Sequence, residues 1–202
     1  MLAILLLAAG RSSRMNGKDK LLEPVNDTPL LRMMALRAQI NNVPVFAVLP
    51  PDRPEREKAL TGLDVQTVVA QNAHEGMAHS LIAGIAALPS AIDAAMILPA
   101  DMPEITADDI ATMVAAHKNA ASNSILRATA HDATPGHPVI FPRAYFDELS
   151  LLSGDEGARS VLANHKTRIT FVPLPDHHAL TDLDTPDEWA EWRARQHQGS
   201  LR

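Results

Sequence analysis

The 202-residue chain contains no cysteine, which excludes disulfide staples and thiolate metal sites and is compatible with a reducing compartment. No segment approaches the ~20 consecutive apolar residues that a bilayer-spanning helix needs, so no membrane segment is expected. An excess of cations is also missing. Eighteen Lys and Arg stand against 24 Asp and Glu, a net charge of −6, which argues against a general nucleic-acid binder. The zinc-protease spacing is absent as well, since His74 and His79 are five apart and one helical face needs four. Met1 to Gly10 is apolar and ends in small residues, like a signal-peptide core. No basic region precedes it, however, and its removal would delete the best candidate for a central strand, so a strand and a cytoplasmic protein are expected.

What the chain does have is a short apolar run leading directly into a cationic loop. Leu5 to Lys20 reads L-L-L-A-A-G-R-S-S-R-M-N-G-K-D-K. Ala8, Ala9 and Gly10 let a ligand approach the backbone, and Ser12 and Ser13 offer hydroxyl and amide donors. Arg11, Arg14, Lys18 and Lys20 face Asp19 alone, four cations to one carboxylate and a local balance of +3 in an acidic chain. The spacing is neither that of a Walker loop, because six residues separate Gly10 from Gly17 and Asp19 follows Lys18, nor that of a dinucleotide fingerprint, because positions 12 and 15 are Ser and Met. On charge alone, a solvated surface loop and a phosphate-binding loop remain equally open.

With 46% hydrophobic and 21% charged residues, the chain suffices for one well-buried core, and residues 1–202 are expected to form a single domain. Strand and helix patterns alternate. Asp27 or Thr28 is expected to cap a helix with Pro29 in its first turn, running to about Gln39. Val43 to Leu49, Val65 to Val69 and Ala94 to Leu98 read as strands. Helices are expected around Glu55 to Leu60, from about Met77 to Leu88, and from the Thr106/Asp109 capping box to about His117. This rhythm with short connections predicts an α/β doubly wound, mainly parallel sheet. Beyond Ser124 it loosens, with strands expected at Ser124 to Ala130, Pro138 to Phe141 and Ile169 to Val172, at least one of them antiparallel. A last helix starts near Thr185 and Pro186, with Trp189 and Trp192 docking it on the core.

Ligands of such sheets bind at the carboxyl ends of strands, where the first loop and Asp101 both fall. Pro99 and Pro103 stiffen the loop around Asp101. Alone, an Asp at a strand end is more often a turn former. Beside a cationic loop it gains another reading, because magnesium prefers one or two carboxylates plus substrate phosphate oxygens. Asp182 and Asp184, alternating in D-L-D-T-P, are both candidates for the second carboxylate.

The motif L-A-A-G-x-S-x-R-M at Leu7 to Met15, followed by Gly17 to Lys20, resembles the signature loop of the sugar-nucleotide and cofactor nucleotidyltransferases. Within these it is most similar to the molybdenum cofactor cytidylyltransferases and the related guanine dinucleotide synthases. G-M-A-H-S-L-I-A-G at Gly76 to Gly84, P-A-D-M-P at Pro99 to Pro103, G-H-P-V-I-F at Gly136 to Phe141, G-D-E-G-A-R at Gly154 to Arg159 and D-L-D-T-P at Asp182 to Pro186 match in order, so the likeness covers nearly the whole chain. Asn16, inserted between Met15 and Gly17, departs from the pattern.

The resemblance implies a Rossmann-like nucleotide-diphospho-sugar transferase fold, with residues 1–120 binding nucleotide and residues 121–202 binding acceptor. It implies Mg2+-dependent transfer of CMP from CTP to the phosphate of a molybdopterin-type acceptor, with release of pyrophosphate. Arg14 and Lys20 would act on the phosphates, Asp101 and Asp184 would hold the metal, and Leu7 to Ser13 with Gly76, Met77 and Ser80 would border the nucleotide. Gly136, His137 and Arg159 would meet the acceptor, although Arg159 could equally pair with Asp155 or Glu156. In the resembling families the third residue of the loop's first tetrad tends to be Ala where cytidylyl is transferred and Gly where guanylyl is, and here it is Ala9. Guanylyl transfer to the same pterin, cytidylyl transfer to another alcohol phosphate and a non-catalytic nucleotide-binding regulator are the alternatives. A cofactor-handover partner or apo-molybdoenzyme is the expected protein partner, and a monomer the expected state.

Overall fold

The computed structural model describes residues 1–154 and 157–199. Its centre is a seven-stranded sheet of β1 (Leu2–Leu7), β4 (Val45–Leu49), β5 (Gln66–Val69), β6 (Ala94–Pro99), β7 (Ile125–Thr129), β8 (Pro135–Pro142) and β9 (Ile169–Pro173). These lie in the order β5-β4-β1-β6-β8-β7-β9. β1 is flanked in parallel by β4 and β6, with Leu7 registered on Val48 and on Pro99. The chain therefore builds outward from β1 through β4 to β5 and then returns to β1's other side, which opens a crevice beyond the β1 and β6 carboxyl ends. The antiparallel strand expected after Ser124 is β8, which runs against both β6 and β7.

β1 is apolar at every position because both its faces are covered. Leu2, Ile4 and Leu6 point into a core shared with α1 (Leu30–Gln39), α4 (Ala107–Asn119) and α7 (Pro186–Gly199). Ala3 and Leu5 point into the opposite core, shared with α3 (Met77–Ala86), α5 (Phe146–Ser150) and α6 (Arg159–Asn164). Trp189 and Trp192 dock α7 by entering the first of these cores, where their rings meet each other edge to face with centroids 6.0 Å apart. Gly84 lets α3 lie close on the sheet, since a Cβ there would stand 3.0 Å from Val48 and 3.1 Å from Leu5.

The expected cap of α1 is corrected by the structure. Asn26 and Asp27 both have positive φ, 47° and 61°, and form the two-residue turn of a small hairpin between β2 (Pro24–Val25) and β3 (Thr28–Pro29). Asp27 and Thr28 are thereby used, and α1 begins at Leu30 with no side-chain cap bond. The Thr106–Asp109 capping box of α4 is present in full. The short helix α2 (Pro54–Ala59) packs near the first loop.

Candidate active site

The first loop is built on a buried ion pair. The guanidinium of Arg56, fully buried on α2, donates to Asp19 through Nε at 2.7 Å and Nη2 at 2.9 Å, to the Ala8 carbonyl at 2.6 Å and to Ser12 Oγ at 3.2 Å. Ser12 Oγ in turn donates to Asp19 and accepts from the Lys20 amide. Burial alone would push the Asp19 carboxyl up. Arg56, helped by the Leu21 amide and the Ser12 hydroxyl, outweighs it and holds Asp19 below its ordinary value. Asn16 and Gly17, at φ 51° and 85°, turn the chain in the left-handed region and accommodate the extra residue.

This anchor directs Lys20 inward. Its Nζ donates to Asp101, just beyond the end of β6, and to Asp184 Oδ1 at 2.6 Å. Burial works to lower the Lys20 pKa, and the two carboxylates more than offset that, so it is raised and the ammonium stays charged. Arg14 donates to the other Asp184 oxygen at 2.5 Å. The D-L-D-T-P segment is fixed at both ends. Leu183 N donates to the Asp101 carbonyl, and Glu188 accepts from the amides of Asp184 and Thr185 at 2.8 and 2.9 Å. Glu104 adds a tie from the β6–α4 loop, accepting from Thr181 Oγ1 at 2.6 Å and Trp192 Nε1 at 3.1 Å. Burial, then Asp101 and Asp184, raise the Asp182 pKa.

A cavity of about 830 Å³ opens beside this cluster. Leu7, Ala9, Gly10, Arg11, Ser12, Ser13, Arg14 and Lys20 line it from the first loop, and Gly76, Met77 and Ser80 from the start of α3. Asp101, Asp184, Gly136, His137 and Arg159 complete the residues that the sequence singled out. Ala8 is placed otherwise: its side chain is buried in the core and its carbonyl receives Arg56. Lys18 lies outside the cavity and makes a long contact of 3.8 Å with Glu23. Asp155 and Glu156, the alternative partners of Arg159, lie outside the described residues.

The direction of β8 brings G-H-P to the cavity. Val139 pairs with Ile97, so Gly136 and His137, preceding it on an antiparallel strand, fall beside the carboxyl end of β6. Gly136 meets the loop before D-L-D-T-P so closely that a Cβ would stand 1.9 Å from the Ala179 carbonyl oxygen, and the next amide, His137 N, donates to that oxygen at 2.9 Å. Burial, followed by the charge of Arg127, lowers the His137 pKa to about 4. Its imidazole is neutral at pH 7, and Nδ1 is buried without a partner among the described residues.

Sequence reasoning missed two arginines. Arg56 sits in P-E-R-E-K, where its neighbours make it look solvated. Arg127 lines the cavity from β7; its signal was a charge inside the otherwise apolar strand I-L-R-A-T.

Asp101 and Asp184 suit a hard divalent cation that takes one or two carboxylates and completes its shell with water and substrate phosphate oxygens. Among the described residues no group of three or more His, Asp or Glu side chains forms a self-contained metal cage.

Residues 4–169 match the MobA-like NTP transferase domain. The chain is 32% identical over 199 residues to the purine catabolism protein PucB of Bacillus subtilis, with 91% of each covered. Among solved structures, Rv0371c of Mycobacterium tuberculosis H37Rv superposes with a TM-score of 0.83 at 24% identity, covering 94% of this chain and 95% of that one. CMP:2-keto-3-deoxy-manno-octonic acid synthetase complexed with CTP superposes at 0.76 with 16% identity, covering 98% and 99%. Helices long and apolar enough to cross a membrane are absent among the described residues.

Proposed function

Because the chain belongs to the MobA-like NTP transferase family, its fold and nucleotidyltransferase class are the premise from which we propose its reaction: transfer of CMP from CTP to the phosphate of a molybdopterin-type acceptor. The observation that carries this reading is the convergence of Lys20 on Asp101 and Asp184 beside a loop whose Gly10, Arg11, Ser12 and Ser13 line the same cavity. The acceptor phosphate attacks the α-phosphorus in line, an oxygen–phosphorus bond forms, and the bond to the β-phosphate breaks to release pyrophosphate. A phosphate nucleophile is already ionised at pH 7, so no enzyme base and no covalent intermediate are required.

Catalysis is then positioning and charge stabilisation. Arg11 and the loop amides bind the β- and γ-phosphates, and Arg14 joins them by exchanging Asp184 for phosphate. Lys20, held charged by its carboxylates, lies against the α-phosphate. Asp101 and Asp184 would hold Mg2+, which when bound would supply positive charge to the phosphate oxygens. Gly76, Met77 and Ser80 border base and ribose. Ala9 favours the smaller pyrimidine, because its methyl group narrows the approach to the end of β1.

The test is Mg2+-dependent pyrophosphate release with molybdopterin or its molybdenum-bound form, comparing CTP with GTP, and repeated with Asp101→Ala. CTP-selective release that the substitution abolishes supports the reading. GTP-selective release replaces it with guanylyl transfer, and no release by folded, CTP-binding protein moves the search to another acceptor.

A further inference from the structure

The cavity has two electrostatically different ends. At one, Lys20 and Arg14 are both matched by carboxylates. At the other, Arg127 and Arg159 both line the wall, and neither has a carboxylate partner among the described residues. Arg127 is half-buried and held in place. Its Nε donates to the Gly136 carbonyl at 3.2 Å and its Nη2 to that of Pro135 at 3.4 Å, which ties the guanidinium to the G-H-P turn and leaves Nη1 uncommitted among the described residues. Burial and then the like charge of Arg159 lower the Arg127 pKa, so the two guanidiniums are near enough to repel. His137, next to Gly136 on β8, lines the same cavity, and the charges of Arg127, Asp101 and Arg159 all act on it.

A half-buried guanidinium with a second cation on the same cavity wall, and no carboxylate against either among the described residues, is unfavourable until an anion joins them. Guanidinium groups match phosphate oxygens through paired N–H donors. We propose that Arg127, together with Arg159, is the specificity-determining clamp for the acceptor's attacking phosphate, so that the enzyme takes phosphate monoesters and rejects acceptors with a neutral hydroxyl. This rests on the nucleotidyl-transfer reading above and adds to it a residue outside every motif of the sequence. Arg127 orients the phosphate through the same guanidinium that braces Gly136, and the neighbouring His137, neutral, adds no charge.

The test titrates inorganic phosphate, at constant ionic strength, into protein saturated with Mg2+ and the unreactive analogue α,β-methylene-CTP, read by calorimetry. Wild type is expected to bind one phosphate. Arg127→Gln should weaken it at least about tenfold with unchanged affinity for the analogue, and Arg127→Lys should fall between, because a charged two-point contact contributes more than a point charge. Arg159→Gln, at an exposed position on α6, should weaken phosphate as well and serves if Arg127→Gln does not fold. Equal phosphate affinity in wild type and folded variants, or no phosphate bound by wild type, overturns the clamp. Phosphate binding that depends on Arg127, in a wild type that does not turn over molybdopterin, upholds the clamp and removes the molybdopterin reading alone.

Discussion

Arg56 and Asp19 form a two-pronged ion pair, at 2.7 and 2.9 Å, beneath a loop that lines the cavity. The pair joins α2 to the first loop and, through Ala8 and Ser12, sets where the loop leaves β1.

Removing one partner of such a pair leaves the other charge poorly solvated. Arg56→Met is expected to cost about 3–5 kcal/mol. For a chain of this size that lowers Tm by on the order of 10 °C, read in a thermal melt with and without CTP. Because the lost brace lies under the binding surface, CTP should rescue less stability in the variant than in wild type. An Arg56→Met melt within 2 °C of wild type, as an approximate threshold on the same scale, would show that the brace carries little.

Asp184 is shared by Lys20 and Arg14 at 2.6 and 2.5 Å. Asp184→Asn keeps the shape but removes a charge that holds both cations and one of the two carboxylates proposed to hold Mg2+. Turnover is expected to fall by about a hundredfold to a thousandfold. Stability should change little, since the segment is still held by Leu183 and Glu188. Single-turnover pyrophosphate release at saturating CTP checks the rate, and a urea melt checks the fold. A rate within about threefold of wild type, far inside that range, would remove Asp184 from the metal pair.

The parallel half of the sheet was legible because its inner strands β1, β4 and β6 are apolar on both faces and bounded by Gly, Pro and polar turns, as in A-A-M-I-L-P before Asp101. The α4 cap was legible because a capping box is local, with both partners three residues apart. What escaped depends on contacts distant in sequence. Arg56 is buried only because Asp19, 37 residues away, folds onto it. Arg127 faces the cavity only because β8 returns between β6 and β7. Thr28 carries a good cap residue's chemistry, yet the Asn26–Asp27 turn claims it first. Local propensity decided α4, a competing local turn decided Thr28, and distant pairing decided Arg56 and Arg127.

His137 sets a pH dependence. Its folded pKa is lowered to about 4, below the ordinary value of 6.5, so the unfolded chain binds the proton more readily between those values. The stability it contributes is complete above pH 6.5 and is lost as pH falls toward 4, with no further loss below. The full difference is on the order of 3 kcal/mol. Urea melts between pH 7 and pH 4 should show this slope in wild type, and His137→Asn should flatten it. Protonation of Asp19, whose pKa is also lowered, weakens the Arg56 pair at still lower pH and remains in the His137 variant. An unchanged slope in His137→Asn would assign the loss to other groups.

Ala9 offers the sharpest test of base choice. It is 3% exposed, packs with Val48, Ala70 and Ala73, and still lines the cavity at the carboxyl end of β1. Its methyl group therefore has protein behind it, and on the proposed reading it limits the approach of a larger base. Ala9→Gly removes that obstruction without touching a phosphate-binding group, so the gain should appear for GTP and not for CTP. One methyl-sized change in a binding pocket shifts discrimination by roughly tenfold or somewhat more. The ratio of kcat/KM for CTP to that for GTP is expected to fall by about that factor, mostly through faster use of GTP. A fall in both rates together would instead report loss of packing around Val48, and an unchanged ratio would place base selection on the Gly76 to Ser80 wall.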